Sequence, residues 1–251
     1  MKRSPGSDLG RPREVGELFR DSLTLYAGHF GLFVLIALAV VAPVQLIVSG
    51  IGLEELTSAY RDDGSLARTA IPTAVSFFVS TPLITAATVA ALGSLAGGER
   101  PHAGHSLQAA LDAFAPLFLA VLIAAAGIAL GLLAFILPGI YFAVRWYFVA
   151  QTVVIEGARG TDALARSAAV VQHAFWRTFA ILLLANLATA IPGILILTPL
   201  TAAAEAADRE AVLLVGKIAT ESLTTPFVAL IATLLYYDLR ARKARAADAP
   251  A

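Results

Sequence analysis

The stretch that decides the fold runs from residue 138 to residue 179 and reads PGIYFAVRWYFVAQTVVIEGARGTDALARSAAVVQHAFWRTF. It opens with a Pro-Gly pair, which favours a tight turn, and continues through a short apolar segment that contains one arginine. A polar hinge, EGARGTD, separates this segment from an amphipathic one, and a new apolar run begins at the end. Because a tight turn makes the segments on its two sides antiparallel, the stretch predicts a membrane protein whose spans are paired as hairpins.

Composition extends this interpretation to the whole chain. The 251 residues are 58% hydrophobic and only 14% charged, whereas a soluble domain is closer to about 25% charged. Hydrophobic runs of about 20 residues recur, and this length crosses a bilayer as a helix. The formal net charge of zero gives no basis for nucleic-acid binding. The absence of cysteine excludes disulfides, thiolate metal sites and cysteine nucleophiles.

The apolar runs predict an all-α membrane protein with six transmembrane helices. The predicted spans lie at about 30–52, 70–96, 115–137, 140–155, 176–200 and 222–239. They form a single membrane domain from 13 to 243, flanked by polar tails at 1–12 and 244–251 that are predicted to be disordered. The first apolar run has full spanning length and no small-residue cleavage motif after it, so we expect a retained span and not a signal peptide.

Basic residues are distributed unevenly between the predicted loops. Lysine and arginine concentrate in the N-terminal segment, the 97–105 loop, the 156–177 segment and the C-terminal tail. Positively charged loops stay on the cytoplasmic side, so both termini are predicted to be cytoplasmic. The high alanine and arginine content is typical of a GC-rich bacterial genome, which predicts a multi-pass protein of the bacterial inner membrane.

Three amphipathic segments, at 13–30, 105–114 and 161–175, each come directly before a span. In each segment a serine is followed eight residues later by a phenylalanine; the pairs are Ser22–Phe30, Ser106–Phe114 and Ser167–Phe175. The pattern predicts three copies of one unit, made of a cytoplasmic-side interfacial helix and a hairpin of two spans. The alternative is that amphipathic linkers commonly lead a chain into a membrane hairpin, with no true repeat.

Several motifs resemble a bacterial membrane-domain family that occurs fused to glycerophosphodiester phosphodiesterases and as stand-alone uncharacterised integral membrane proteins. The motifs are PGIYFAVRWYFVAQTVVIEG, DALARSAAVVQHAFWRTF, the terminal LLYYDLR and the N-terminal ELFRDSLTLYAGHFG. The resemblance implies a six-helix membrane domain. It does not imply phosphodiesterase activity, because in that family the activity belongs to a separate soluble barrel.

Arg145 is the sharpest candidate site residue, because it lies seven residues after Pro138 and therefore roughly 10 Å into the membrane. An arginine that faces lipid at the bilayer centre costs at least about 2.5–3.5 kcal/mol, so the side chain is predicted to point into the bundle. Gln45, Asn186 or an outer-loop acid such as Glu205 would supply its acceptors. One interpretation is a contact with an anion or a lipid headgroup, and the other is a structural clamp between helices.

A second candidate site is a group of basic residues at the predicted cytoplasmic interface. It comprises Arg159, Arg166, Arg177, Arg240 and Arg242, with Glu156 and Asp238 nearby. One interpretation is a binding site for anionic lipid headgroups. The alternative is positive-inside anchoring combined with i,i+4 ion pairs such as Asp162–Arg166 and Asp238–Arg242.

The sequence predicts no catalytic residues, no metal site and no cofactor. His102 and His105 form an HxxH pattern, but a metal site normally needs a third or fourth ligand, and none lies nearby in the sequence. There is no glycine-rich phosphate loop, no G-x-S-x-G and no H-E-x-x-H motif.

Three functions therefore remain open. The first is a non-enzymatic membrane module that interacts with membrane lipids or with a membrane protein partner. The alternative is a small-solute or lipid transporter with Arg145 near the translocation site, which the prolines within the predicted spans favour. The third is a membrane-embedded enzyme that acts on lipids. An aqueous cavity that reaches Arg145 would favour transport, whereas a solid bundle would favour the first function.

Overall fold

The computed structural model describes residues 9–49, 66–207 and 210–247, and within these residues the secondary structure is helical without a strand. The helices are α1 (Val15–Gly28), α2 (Phe30–Ser49), α3 (Leu66–Val75), α4 (Thr81–Ala96), α5 (Ala103–Asp112), α6 (Phe114–Ala134), α7 (Ile136–Arg145), α8 (Val149–Glu156), α9 (Gly160–Val171), α10 (Phe175–Ala207) and α11 (Glu210–Ala247). A π-helical turn at Ser76–Ser80 joins α3 to α4.

Five helical stretches of the described chain are long and apolar enough to cross a membrane. They are Phe30–Ser49, Ala70–Ala96, Phe114–Ala134, Phe175–Ala202 and Ala211–Ala247. Large apolar side chains lie on the outside of the bundle, and Leu195, for example, is 70% exposed. Such surfaces are stable in hydrocarbon and not in water. The chain is therefore an all-helical, multi-pass membrane protein, as its composition predicted.

The predicted fourth span, at about 140–155, consists of two helices and not one. α7 ends at Arg145 and α8 begins at Val149, and the three residues between them continue neither helix. The predicted turn at Pro138-Gly139 is also displaced. The chain reverses at Phe135, which has extended backbone, and Pro138 lies in the first turn of α7. That position accepts proline because the first N–H groups of a helix have no carbonyl partner.

Glycines bring α6 and α7 close together. A Cβ atom on Gly139 would lie 2.4 Å from the Leu132 side chain, and a Cβ atom on Gly127 would lie 2.5 Å from the Trp146 ring. Trp146 stacks in turn on Phe142, with ring centres 4.7 Å apart. Small residues at a helix interface let backbones approach, which is a main source of packing energy between membrane helices.

The short helices α1, α5 and α9 each come directly before a longer helix. α1 packs against α11, α5 against α4, and α9 against α6 and α8. The helices that follow them begin at Phe30, Phe114 and Phe175, and the matching serines Ser22, Ser106 and Ser167 are all buried. The repeat unit with its interfacial helices and the three-hairpin arrangement stay predictions.

α11 is the central helix of the bundle, because it contacts α2, α4, α10, α1 and α9. Its residues Leu230, Ile231, Leu234 and Leu235 are fully buried. An unassembled membrane helix is already surrounded by hydrocarbon, so these side chains stabilise the fold by close packing and not by leaving water.

The two predicted tails are described only in part. Residues 1–8 and 248–251 lie outside the described residues. Arg11, from the predicted N-terminal tail, makes ion pairs with Asp21 at 3.5 Å and with Glu17 at 3.9 Å. At the other end, α11 continues past the predicted start of the tail at 244 to Ala247.

Candidate functional site

The basic end of the bundle, defined here by Arg13, Arg177, Asp238 and Arg242, is built around a buried carboxylate. Asp238 of α11 is 0% exposed. It accepts hydrogen bonds from the backbone N–H of Arg13 at 2.6 Å, the Nε of Arg242 at 3.1 Å and the Nη2 of Arg177 at 3.2 Å. The backbone carbonyl of Arg13 accepts from both guanidinium groups, at 2.6 Å from Arg177 and 2.7 Å from Arg242.

This network joins the start of α1, the start of α10 and the last third of α11. A buried carboxylate is stable only when its donors are complete, so Arg177 and Arg242 hold the helices together through Asp238. Both residues were predicted to bind lipid headgroups, but in the structure much of their hydrogen-bonding capacity is directed inward. The predicted i,i+4 pair between Asp238 and Arg242 is confirmed.

A second charged group, here called the Glu156 groove, lies between α8, α9 and α11 and has a volume of about 370 Å³. Glu156 pairs with Arg166 and with Arg240, each at 3.2 Å, and accepts a hydrogen bond from the Tyr236 hydroxyl. Lys243 lines the same groove. Three cations surround one carboxylate, so the groove keeps a positive charge.

Arg166 and Arg159, both predicted headgroup ligands, differ in their surroundings. Arg166 also donates to Asp162 at 2.9 Å, which confirms the second predicted i,i+4 pair. The hydrogen bonds to Glu156 and to Asp162 hold the pKa of Arg166 above its ordinary value. Arg159 is exposed just before α9, and no ion pair joins it to any part of the chain that the structure describes.

Arg145 is the last residue of α7, and its side chain folds back along that helix. Its Nη1 donates to the Tyr141 hydroxyl at 2.5 Å, and its guanidinium carbon lies 5.2 Å from the centre of the Tyr141 ring. The expected hydrogen bonds to Gln45 or Asn186 are not formed, so that expectation was wrong; the side chain of Glu205 lies outside the described residues. The end of α7 gives the reason, because unpaired carbonyls at a helix C-terminus favour a cation beside them.

The break between α7 and α8 is closed by one side chain of α9. The Ser167 hydroxyl donates to the Arg145 carbonyl at 2.8 Å and accepts from the Phe148 N–H at 3.1 Å. Backbone groups freed by a broken helix need such partners, because no water is present in a bilayer to replace them. The amphipathic helix α9 is therefore inserted against the break.

Gln45 belongs to a different polar contact. Its Nε2 donates at 3.0 Å to Glu221 of α11, and the Ser76 hydroxyl lies 3.5 Å from the same carboxylate oxygen. The predicted last span begins at 222 and leaves Glu221 just outside it, whereas in the structure Glu221 lies within a candidate span. The missed signal is the moderate but continuous hydropathy after residue 211, which extends the last span toward the N-terminus.

Asn186 also lies apart from Arg145. Its Nδ2 donates to the Leu182 carbonyl at 2.7 Å, one turn earlier on the same helix. The three predicted intramembrane polar residues thus make three separate contacts. They do not converge on one ligand.

An apolar cavity of about 330 Å³ lies between α4, α6, α8 and α11, beside the break after α7. Its apolar lining includes Phe77, Val121, Ala124, Ala125, Ile128, Ala143, Trp146, Ala150, Val228, Ala229 and Ala232. The space arises because many lining positions carry alanine, and because the break displaces the chain. Phe77 and Tyr147 at the edge are 51% and 36% exposed, so the cavity adjoins the outer surface of the bundle. This site was not predicted from the sequence, where the alanine content of α6 is the signal that points to it.

Among the residues that the structure describes, no group of three or more His, Asp and Glu side chains is placed to hold a metal ion. The histidines of the HxxH pattern lie at the start of α5, where His102 Nδ1 is 2.9 Å from the Arg100 carbonyl.

No protein-family model, no curated protein and no solved structure matches this chain. The resemblance to the membrane domain of the phosphodiesterase fusions therefore stays a prediction.

Proposed function

We propose that this chain is an integral membrane module that binds a membrane lipid and holds an apolar chain of that lipid in the alanine-lined cavity. The cavity is the observation that carries the proposal. Its volume of about 330 Å³ lies in the range typical of small-molecule sites. At roughly 30 Å³ per water-sized group, it holds on the order of ten methylene groups.

The position of the cavity supports a ligand that arrives from the bilayer. Its edge lies at Phe77 and Tyr147, which face the outside of an apolar bundle. An empty apolar cavity forfeits the van der Waals contacts of its lining atoms. Entry of a lipid chain restores these contacts, so occupation by lipid is favoured.

The contact between the two chain ends supports six crossings. Arg13 lies before α1, and Asp238 lies near the end of α11, yet the two residues are hydrogen-bonded. Five crossings would leave these ends on opposite sides of the membrane. Leu137 and Pro138 at the start of α7 lie against Phe175 and Trp176 at the start of α10, beside the basic end. The even number of crossings therefore rests on the contact between the chain ends and not on the length of α7 and α8.

The basic end then lies in the cytoplasm with both termini, in accordance with the positive-inside rule, and the membrane is the bacterial inner membrane. On that surface the Glu156 groove presents Arg166, Arg240 and Lys243. Anionic lipid headgroups are attracted to such basic interfacial sites. We assign the headgroup contact to this groove and not to Arg177 and Arg242, whose guanidinium groups bind Asp238.

Native mass spectrometry of the purified protein tests the proposal, with two neighbouring alanines of α6 as a matched pair. Ala125 lines the cavity, whereas Ala126 is exposed on the outer face. Ala125→Phe fills the cavity and should abolish retention of the lipid. Ala126→Phe adds the same bulk outside it and should leave retention unchanged.

Equal lipid retention in wild type and in both variants would reject the cavity as the binding site. Protein that releases no lipid in any form would reject lipid binding altogether. Thermal unfolding of each variant in detergent shows whether the fold is intact, so loss of lipid is not confused with misfolding.

Transport is a second candidate function, because the helix is broken between α7 and α8. Discontinuous helices line the substrate sites of many transporters, and here the break adjoins both Arg145 and the cavity. Transport predicts flux of a lipid or small solute across protein-containing vesicles, reduced by Arg145→Ala. A binding module predicts retention of lipid with no flux.

A further inference from the structure

One strongly polar side chain is buried in the apolar cavity. Gln151 of α8 lines the cavity and is only 1% exposed. Its amide oxygen, Oε1, has no hydrogen-bond partner among the described residues. A buried acceptor without a partner is unfavourable, so this atom marks a position where a ligand gains a hydrogen bond.

The orientation of the amide follows from its neighbour. The Thr233 hydroxyl donates its hydrogen to the Ala229 carbonyl at 2.7 Å, so toward Gln151 it offers only its oxygen as an acceptor. The amide nitrogen of Gln151 therefore faces Thr233, at 3.5 Å. The carbonyl oxygen is left as the free end of the amide.

Thr85 also carries a hydroxyl in the cavity lining, and this hydroxyl is already hydrogen-bonded. Thr85 donates to the Thr81 carbonyl one turn before it at 2.8 Å, as threonines in helices commonly do. Thr81, Thr225 and Tyr147 also carry hydroxyl groups in the lining, and the remaining lining residues are aliphatic or aromatic. The cavity therefore combines a mainly apolar volume with the unpaired amide oxygen of Gln151.

We infer that the cavity selects an apolar molecule carrying a hydroxyl or N–H donor, which binds the Gln151 amide oxygen. This inference rests on the proposed function and deepens it by giving the chemical class of the ligand. An alcohol fits, because its chain fills the volume and its hydroxyl donates to the unpaired Gln151 amide oxygen. An ether of the same length fits the volume but offers no donor.

Trp146 supplies the measurement, because its ring lines the cavity. The chain has two tryptophans, and Trp176 lies outside the cavity and is 77% exposed. In full-length Trp176→Phe protein in lipid nanodiscs, the remaining fluorescence reports on Trp146. The probes are an alkanol of about ten carbons, the length that fills the cavity, with bromine at its far end, and the methyl ether of the same bromoalkanol. Bromine quenches tryptophan on contact.

The matched variant is Gln151→Leu, which keeps the bulk of the side chain and removes the acceptor. In the parent protein the alcohol should quench Trp146 with saturation and bind more tightly than the ether, by on the order of fivefold for one net hydrogen bond. In Gln151→Leu both probes should still quench, and the preference should disappear. Comparison of the two proteins in the same lipid cancels the different partitioning of alcohol and ether into the bilayer.

Two other results would contradict this inference, and they differ in whether the proposed function also fails. If both probes saturate and their ratio is the same with glutamine or leucine at 151, the donor preference is wrong while the cavity remains a binding site. If neither probe quenches Trp146 in a saturable manner in the parent protein, the proposed function and this inference fail together.

Discussion

Asp238 is the single residue on which most polar contacts of the basic end depend. It is fully buried, and it accepts hydrogen bonds from the backbone of Arg13 and from two guanidinium groups. Such a residue is a structural requirement even though its neighbours were candidates for ligand binding. The negative charge of Asp238 therefore stabilises the fold whether or not a ligand is bound.

Asp238→Ala should lower the free energy of unfolding by about 1–3 kcal/mol, because the buried backbone N–H of Arg13 and the partly exposed guanidinium groups of Arg177 and Arg242 lose their acceptor. Unfolding in mixed micelles with increasing denaturing detergent measures the change. Asp162→Ala is the control, since the Asp162–Arg166 pair is exposed on both sides and such pairs contribute about 0.2–1 kcal/mol. Similar losses in the two variants would contradict the role assigned to Asp238.

Tyr26 of α1 gives a pH prediction. Its hydroxyl donates to the Leu223 carbonyl at 2.7 Å, and burial raises the pKa of Tyr26 to about 12 from an ordinary value of about 10. The folded chain thus keeps a proton that the unfolded chain loses. Stability should be unaffected by this group below pH 10 and should fall as the pH rises from about 10 to about 12.

Tyr26→Phe should remove that part of the alkaline loss, as measured by thermal unfolding at stepwise increasing pH. An alkaline profile that is the same in wild type and in the variant would show that Tyr26 is not the titrating group.

For single residues, four-residue spacing along a helix predicted some side-chain contacts but could not predict contacts between residues far apart in the sequence. The pairs Asp162–Arg166 and Asp238–Arg242 follow from four-residue spacing on one helix. The bond from Arg13 to Asp238 joins residues 225 positions apart, and no local pattern contains it. Arg145 shows the opposite error, since its depth predicted a partner on another span, whereas Tyr141 on its own helix was near enough.

Among the elements, the break between α7 and α8 has the largest consequence for the site. It opens one wall of the cavity, and Ser167 of α9 satisfies the two backbone groups at its edges. Hydropathy did not reveal the break, because apart from Arg145 the residues next to it and within it are apolar or aromatic. The short helices and their first residues were easier to predict, because amphipathic periodicity and the recurring Ser and Phe positions are local signals.

Ser167→Ala should destabilise the protein by about 1–3 kcal/mol, because the Arg145 carbonyl and the Phe148 N–H lose a partner in a buried position. Ser106→Ala is a matched control at the corresponding position of α5. Ser106 is 1% exposed, and its hydroxyl has no hydrogen-bond partner among the described residues, so its removal should cost little. Denaturation of both variants in the same detergent measures the difference, and equal losses would argue against Ser167 as the closure of the break.

For the whole molecule, composition sufficed to predict an all-helical membrane protein, and the structure has five helices of spanning length in its described part. The cavity was beyond the sequence, because it depends on how five elements meet and not on a motif in any of them. The even number of crossings is inferred from the hydrogen bond between Arg13 and Asp238, which lie near the two ends of the chain.

Six crossings predict that both ends lie on the same side of the membrane. The chain has no cysteine, so Glu14→Cys and Lys243→Cys each create one exposed thiol, before α1 and near the end of α11. In sealed, oriented membrane vesicles, an impermeant maleimide should label both variants from the cytoplasmic side alone. Labelling from opposite sides would contradict the even number of crossings.

The occupancy of the cavity is the central claim, and anomalous diffraction tests it most directly. Crystals would be grown in lipid whose acyl chains carry bromine, and anomalous difference maps would locate the bromine atoms. If the cavity holds a lipid chain, a bromine peak should lie inside it, bordered by Ala125, Trp146 and Gln151, and Ala125→Phe crystals should lack that peak. Bromine peaks on the outer surface of the bundle, with none in a well-ordered cavity, would contradict it.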